Sequence, residues 1–316
     1  MASEKTKEAS KKIRENVVGE ILELMERDGL KWSRGFDPTM FLARNDATPT
    51  RYRGVNRLQL ACAMKNMHTT DPRWCTFNQA RESGWKVKQG AHGTKVECWK
   101  LTPVEFGPDG KVAKWYTRTE AAELRRSGKE PQTILVLAST STVFNYADIE
   151  GPDAFVKESA PHSLDDTIEA LIVSSRCPVY EAALEAACYR PIHDEILIPP
   201  RGVYTRREEY ATTLLHEMAH STCVPLKRDI MGFFGSPKYA FEELRAELAC
   251  VMAASELGIP LGASDMESHA CYLATWKESC RKDANVMIEA ISDAQKIADY
   301  LVSGVAALKK QESAAA

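Results

Sequence analysis

The stretch Tyr210–His220, YATTLLHEMAH, sets two histidines four residues apart with a glutamate directly after the first: His216, Glu217 and His220. The run lacks Pro and Gly and spaces Leu214, Leu215, Met218 and Ala219 as a helix does. At 3.6 residues per turn both imidazoles leave the same face and can share one metal ion. Glu217 follows the first of them, placed to accept a proton from water beside that ion.

A catalytic zinc of this type takes a third protein ligand and keeps one position open. Downstream, Tyr239–Ala254 reads YAFEELRAELACVMAA after the helix-start signal Ser236-Pro237. Glu243 and Glu247 lie one turn apart on it. Glu243 is read as the third ligand, and Glu247 as the carboxylate that holds a histidine N–H group, with their exchange left open. A plain solvated face made of Glu242, Glu243, Arg245 and Glu247 is the alternative. Upstream, Asp194–Pro200 (DEILIPP) predicts a short strand that stops at its Pro pair and offers an edge to an extended peptide.

These elements need a scaffold, and 316 residues suffice for two domains, placed at 1–150 and 151–316, each with its own core. Hydrophobic content of 44% and charged content of 27% are those of a globular chain. The polar Met1–Lys12 is unlike a signal peptide or anchor, and the nine cysteines form no C-x-x-C pair. A cytoplasmic protein with reduced thiols is the expectation.

Charge is segregated. Residues 1–150 carry 25 Lys+Arg against 19 Asp+Glu, and residues 151–316 carry 16 against 25. Within 51–100 the ratio is 10 to 3. There, bases alternate with flat rings, as single-stranded nucleic acid requires of a groove that tracks phosphates and stacks on bases. Arg51, Tyr52, Arg53, Asn56, Arg57, Arg73, Trp74, Lys86 and Lys88 are the candidate contacts. A core role for Trp74, Phe77 and Trp85 is the competing reading.

The periodicity predicts helices over residues 4–28, Leu58–Met67, Thr119–Arg126 and Leu164–Ser174, and long helices over 265–303. Asn78 is the expected cap of a short helix ending at Gly84. Strands are expected over Thr94–Leu101, Thr133–Ala138, Cys177–Tyr180 and Ala187–Tyr189. The fold class is therefore α+β.

With these residues in view, the chain resembles the ArdC antirestriction family of conjugative plasmids, related to the N-terminal portion of plasmid primases. Tyr52-Arg53-Gly54-Val55-Asn56, Pro72-Arg73-Trp74, Thr76–Ala80 and Val143-Phe144-Asn145 carry the likeness in the first half. Asp194-Glu195-Ile196, His216–His220, Glu242-Glu243-Leu244 and Ala246-Glu247-Leu248 carry it in the second. The resemblance implies a single-stranded-DNA-binding domain followed by a zincin-like metallopeptidase domain, together protecting incoming DNA from host restriction. A host restriction protein is one candidate protein substrate. Two departures stand out: Ser221-Thr222-Cys223 replaces the family's Trp-Thr-Gly after the zinc helix, and Asp148 stands where Gln is usual. A dedicated peptidase merely positioned on DNA and a metal-stabilised module without turnover are the other two readings.

Overall fold

Helix α1 (Glu4–Asp28) turns one stripe inward, and Ile13, Val17, Ile21 and Met25 on that stripe are buried. The computed structural model describes residues 3–28, 36–157, 163–233, 235–261, 278 and 280–315. The expected places of Trp32, His269, Cys271, Tyr272 and Trp276 lie outside them.

The first half continues through β1 (Arg44–Asn45), α2 (Val55–Asn66), β2 (Arg73–Thr76), α3 (Phe77–Glu82), β3 (Lys86–Val87), β4 (Thr94–Phe106), β5 (Val112–Trp115), α4 (Arg118–Arg126), β6 (Gln132–Asn145) and β7 (Ile149–Glu150). Five strands form one sheet in the order β1-β2-β6-β4-β5, and β3 pairs with β7. The antiparallel β4–β6 ribbon runs well beyond the strands expected at Thr94–Leu101 and Thr133–Ala138. Its outer part leaves the core and is mostly exposed on both faces, so the apolar alternation that marks a strand fades there. Helix α3 is capped by Thr76 and not by Asn78. Thr76 Oγ1 accepts from the Gln79 N–H at 3.3 Å, while Gln79 Oε1 accepts from the Thr76 N–H at 2.8 Å.

The second half contains α5 (Leu164–Ser174), β8 (Val179–Glu181), β9 (Cys188–Arg190), β10 (Glu195–Ile198), α6 (Arg207–Ser221), α7 (Pro237–Glu256) and α8 (Ala284–Ala315). Its sheet order is β8-β10-β9. The Asp194–Pro200 strand is thus the middle strand, paired on both sides, and the edges belong to β8 and β9. Its alternation of buried Ile196 and Ile198 marks one covered face and says nothing about lateral neighbours.

A continuous apolar cluster runs through both halves, from Val17, Phe41, Leu58 and Trp74 to Leu214, Leu244, Met252 and Ile291. Among the described residues no helix is long and apolar enough to cross a membrane. The described cysteines are free, all buried except Cys98 (half-buried) and Cys188 (exposed).

Candidate functional site

Helix α6 is buried nearly all round from Glu209 to Ser221, so its polar residues must find partners inside the protein. The His216 and His220 rings lie edge to face, and their Nε2 atoms are 3.0 Å apart. Helix α7 begins at its Ser236 cap and brings Glu243 to the same point. One Glu243 oxygen is 3.3 Å from His216 Nε2, and the other is 3.6 Å from His220 Nε2. Among the described residues these three form the group of ligand atoms close enough to hold one ion.

Donors placed about 2.0–2.1 Å from a tetrahedral ion are separated from each other by about 3.3 Å. The 3.0 Å between the two Nε2 atoms and the 3.3 Å from His216 Nε2 to Glu243 lie close to that value, so the donor set suits a divalent ion in type and spacing. The hydrogen bonding also chooses the donor atoms. His220 Nδ1 meets Glu242 Oε1 at 3.2 Å, which leaves the Nε2 lone pair directed at the shared point.

The electrostatics agree. Burial alone lowers the His220 pKa, but the hydrogen bond to Glu242 and the charges of Glu243 and Glu217 outweigh it and push it up to about 9. His216 is likewise raised: burial opposes, and Glu243 prevails. A pocket of carboxylates this well enclosed calls for positive charge.

Glu217, one residue past the first histidine, aims its carboxylate at β9. Its Oε2 accepts from the Tyr189 backbone N–H at 2.6 Å. The edge strand that faces the site is therefore β9, which the sequence pattern did not single out. Tyr189 is fixed in turn through its hydroxyl, which donates to Asp194 at 2.8 Å. Burial is high throughout, with His216 at 3%, Glu243 at 3% and Glu217 at 8% exposure.

Glu247 is buried one turn beyond Glu243, but the carboxylate on His220 Nδ1 is Glu242. Glu242 was read from the sequence only as part of an acidic face. Its pairing with Arg228 is a tertiary contact that no spacing in the sequence announces.

The candidate nucleic-acid contacts divide sharply. Tyr52, Asn56, Arg57 and Trp74 are buried, and instead of facing a strand of DNA they pack, bond or pair inside the protein. Trp74 fills the core, as its size and central strand dictate. The Asn56 amide spans the Glu97 backbone, donating at 2.7 Å and accepting at 2.8 Å, and so clips α2 to β4. Arg57 pairs with Glu256 at the end of α7. Arg51 and Arg53 are exposed but engaged with Glu256 (3.2 Å) and with Asp299 of α8. Arg73 lies on Asp71 at 2.7 Å and over the Tyr146 ring at 4.9 Å. Lys86 and Lys88 are exposed, and Lys88 Nζ donates to the Ala147 carbonyl at 2.7 Å. Phe77, for which a core role was the competing reading, stands 54% exposed at the first turn of α3, with exposed Arg81 four residues on.

A helix carrying H-E-x-x-H crossed by a glutamate-bearing helix beside a small sheet defines a zincin-like domain, and residues 166–293 match the zincin-like metallopeptidase family. Residues 11–144 match the N-terminal domain of anti-restriction factor ArdC. The chain belongs to the ArdC-type antirestriction family, with that N-terminal domain and the zincin-like domain joined in an α+β protein.

The crystal structure of the antirestriction protein ArdC from plasmid R388 in its Mn(II)-bound form is 25% identical, with a TM-score of 0.66, covering 93% of this chain and 98% of that one. Uncharacterized protein y4eC of Sinorhizobium fredii (strain NBRC 101917 / NGR234) is 30% identical over 265 residues, 81% of this chain and 80% of that protein. DNA primase TraC of Escherichia coli is 31% identical over 301 residues. That match takes in 94% of this chain, which spans only about a quarter (27%) of the primase's length.

Proposed function

We propose that this protein binds single-stranded DNA without sequence preference and carries a zinc-dependent peptidase site, the two together protecting incoming DNA from host restriction. The observation that carries the reading is the convergence of His216, His220 and Glu243 on one point, with Glu217 beside it. His216, His220 and Glu243 would hold the ion, which when bound supplies Lewis acidity toward a scissile carbonyl.

The remaining work falls to the chain. Glu217 takes a proton from the attacking water and delivers it to the leaving amine nitrogen. The Tyr189 N–H steadies that carboxylate, and the outer edge of β9 is the place for an extended peptide to pair. His₂Glu chemistry suits zinc, and the R388 relative, solved in a Mn(II)-bound form, supports a divalent ion for this protein.

For DNA, the residues that support the reading are exposed: Phe77 and Arg81 one turn apart on α3, and Lys86 and Lys88 on and just after β3. A specific observation favours a second reading, a metal-stabilised module without turnover. The site is closed over, and Glu217 already spends one oxygen on the Tyr189 N–H.

The variant Glu217→Gln separates the readings. In the peptidase reading, metal content and DNA binding persist while cleavage and restriction protection fall by about two to four orders of magnitude. Protection retained at the wild-type level, in cells challenged with unmodified plasmid, rejects proteolysis as its basis.

A further inference from the structure

Glu242 sits on α7 immediately before Glu243 and is 4% exposed. Three groups meet its carboxylate. His220 Nδ1 approaches Oε1 at 3.2 Å. Arg228 Nη1 donates to both oxygens, to Oε1 at 2.6 Å. Arg245 Nη1 stands 3.5 Å from Oε2.

Each arginine is itself anchored. Arg228 Nη2 donates to the Ala219 carbonyl at 2.8 Å and to Thr222 Oγ1 at 2.9 Å, both at the end of α6. Arg245 Nη2 reaches Asp293 of α8 at 2.8 Å, and its guanidinium lies 4.0 Å from the centre of the Phe241 ring. Glu242 is thus held in place from α6, α7 and α8 at once.

We propose that Glu242, clamped between Arg228 and Arg245, is the positioning residue that fixes His220 with Nδ1–H turned away and Nε2 turned toward the ion, and so sets the affinity of the centre. This inference rests on the metal-site reading above. A neutral imidazole carries one proton, and a charged acceptor on Nδ1 keeps it there. Two guanidinium groups on the Glu242 carboxylate, Arg228 on both oxygens and Arg245 at 3.5 Å from Oε2, match a charged acceptor in this place. Glu243, the next residue on α7, faces both histidines, so neighbouring carboxylates of one turn meet the His216–His220 pair.

The test is Zn²⁺ affinity of the full-length protein, measured by competition with a chromogenic chelator. Glu242→Ala should weaken binding about 10- to 100-fold, and Glu242→Gln by less, because an amide oxygen still accepts from Nδ1–H. His220→Ala serves as the control and should abolish binding. If His220→Ala binds zinc like the wild type, the metal-site reading itself fails. If His220→Ala loses zinc but Glu242→Ala and Glu242→Gln both keep wild-type affinity, only the present proposal is overturned. Should the alanine variant not fold, Glu242→Gln decides, together with the ¹⁵N signals of His220 in the zinc-loaded protein. Those signals should report a protonated Nδ1 in the wild type, and a bare Nδ1 there also overturns it.

Discussion

Phe77 is the residue at which exposure and chemistry point the same way. A phenylalanine left 54% in water at the head of a helix has no packing reason to be there, and Arg81 one turn on supplies a cation on the same side. Replacing Phe77 with Ala should therefore weaken binding to an unstructured oligonucleotide by about 1–3 kcal/mol while leaving the unfolding midpoint nearly unchanged. Fluorescence anisotropy at fixed salt, beside thermal unfolding, measures both, and unaltered affinity would remove this face from the DNA path. The contrast with Tyr52 and Trp74 shows what a chain can and cannot say about its rings. All three lie near bases in sequence, but only the sheet and the inter-helix packing decide which ring is enclosed. The metal pair was legible because a four-residue step fixes His216 and His220 on one face whatever surrounds them. The contact of Glu242 with His220 was not, because it depends on how α7 packs against α6, which is a tertiary quantity.

At the level of elements, the secondary structure was legible wherever one face of a segment is covered. Helices α1, α5 and α7 begin and end close to their predicted limits because stripe, cap and breaker agree. Lateral position in a sheet leaves no such trace, so β10 reads as an edge from its Pro pair although β8 and β9 are the edges. The turn after β7 is a place where one residue holds several elements together. Gly151 has φ +123°, a conformation that disfavours any side chain, and a Cβ there would stand 2.4 Å from Trp85 Cδ1. Trp85 in turn packs edge-on against Tyr146 at 5.2 Å and borders α3 and β3. Gly151→Ala should cost about 2–3 kcal/mol in chemical denaturation, from strain and displacement of the ring combined. Because α3 and β3 bear Phe77, Arg81 and Lys86, DNA affinity should fall with it, whereas zinc affinity should not. A variant as stable as the wild type would show that this turn adapts and does not position the surface.

Across the whole molecule, the first-half motif Arg51–Arg57 acts on the second half. Gly54, at φ +54° and ψ −127°, opens α2 and donates its N–H to Gln295 of α8 at 3.0 Å, while Arg53 pairs with Asp299. Arg57 is 3% exposed, and its guanidinium meets Glu256 in the last turn of α7, the helix that carries Glu242 and Glu243. Taking that guanidinium out of water is costly, and the compensation comes from the other half of the chain. The two halves, distinct in sequence by charge and by family, consequently fold around one apolar cluster stitched by these pairs. Glu256→Ala would leave Arg57 buried opposite a neutral side chain, donating to Gln295 Oε1 at 3.5 Å. Removing one member of a buried pair typically costs about 3–5 kcal/mol, and the partial exposure of Glu256 places this case near about 3 kcal/mol. The loss should be read as a lower urea midpoint at unchanged slope, because both halves share the cluster and unfold together. Two separated transitions, or a loss confined to the first half, would show instead that the halves are energetically independent and that the arginine cluster does not couple them.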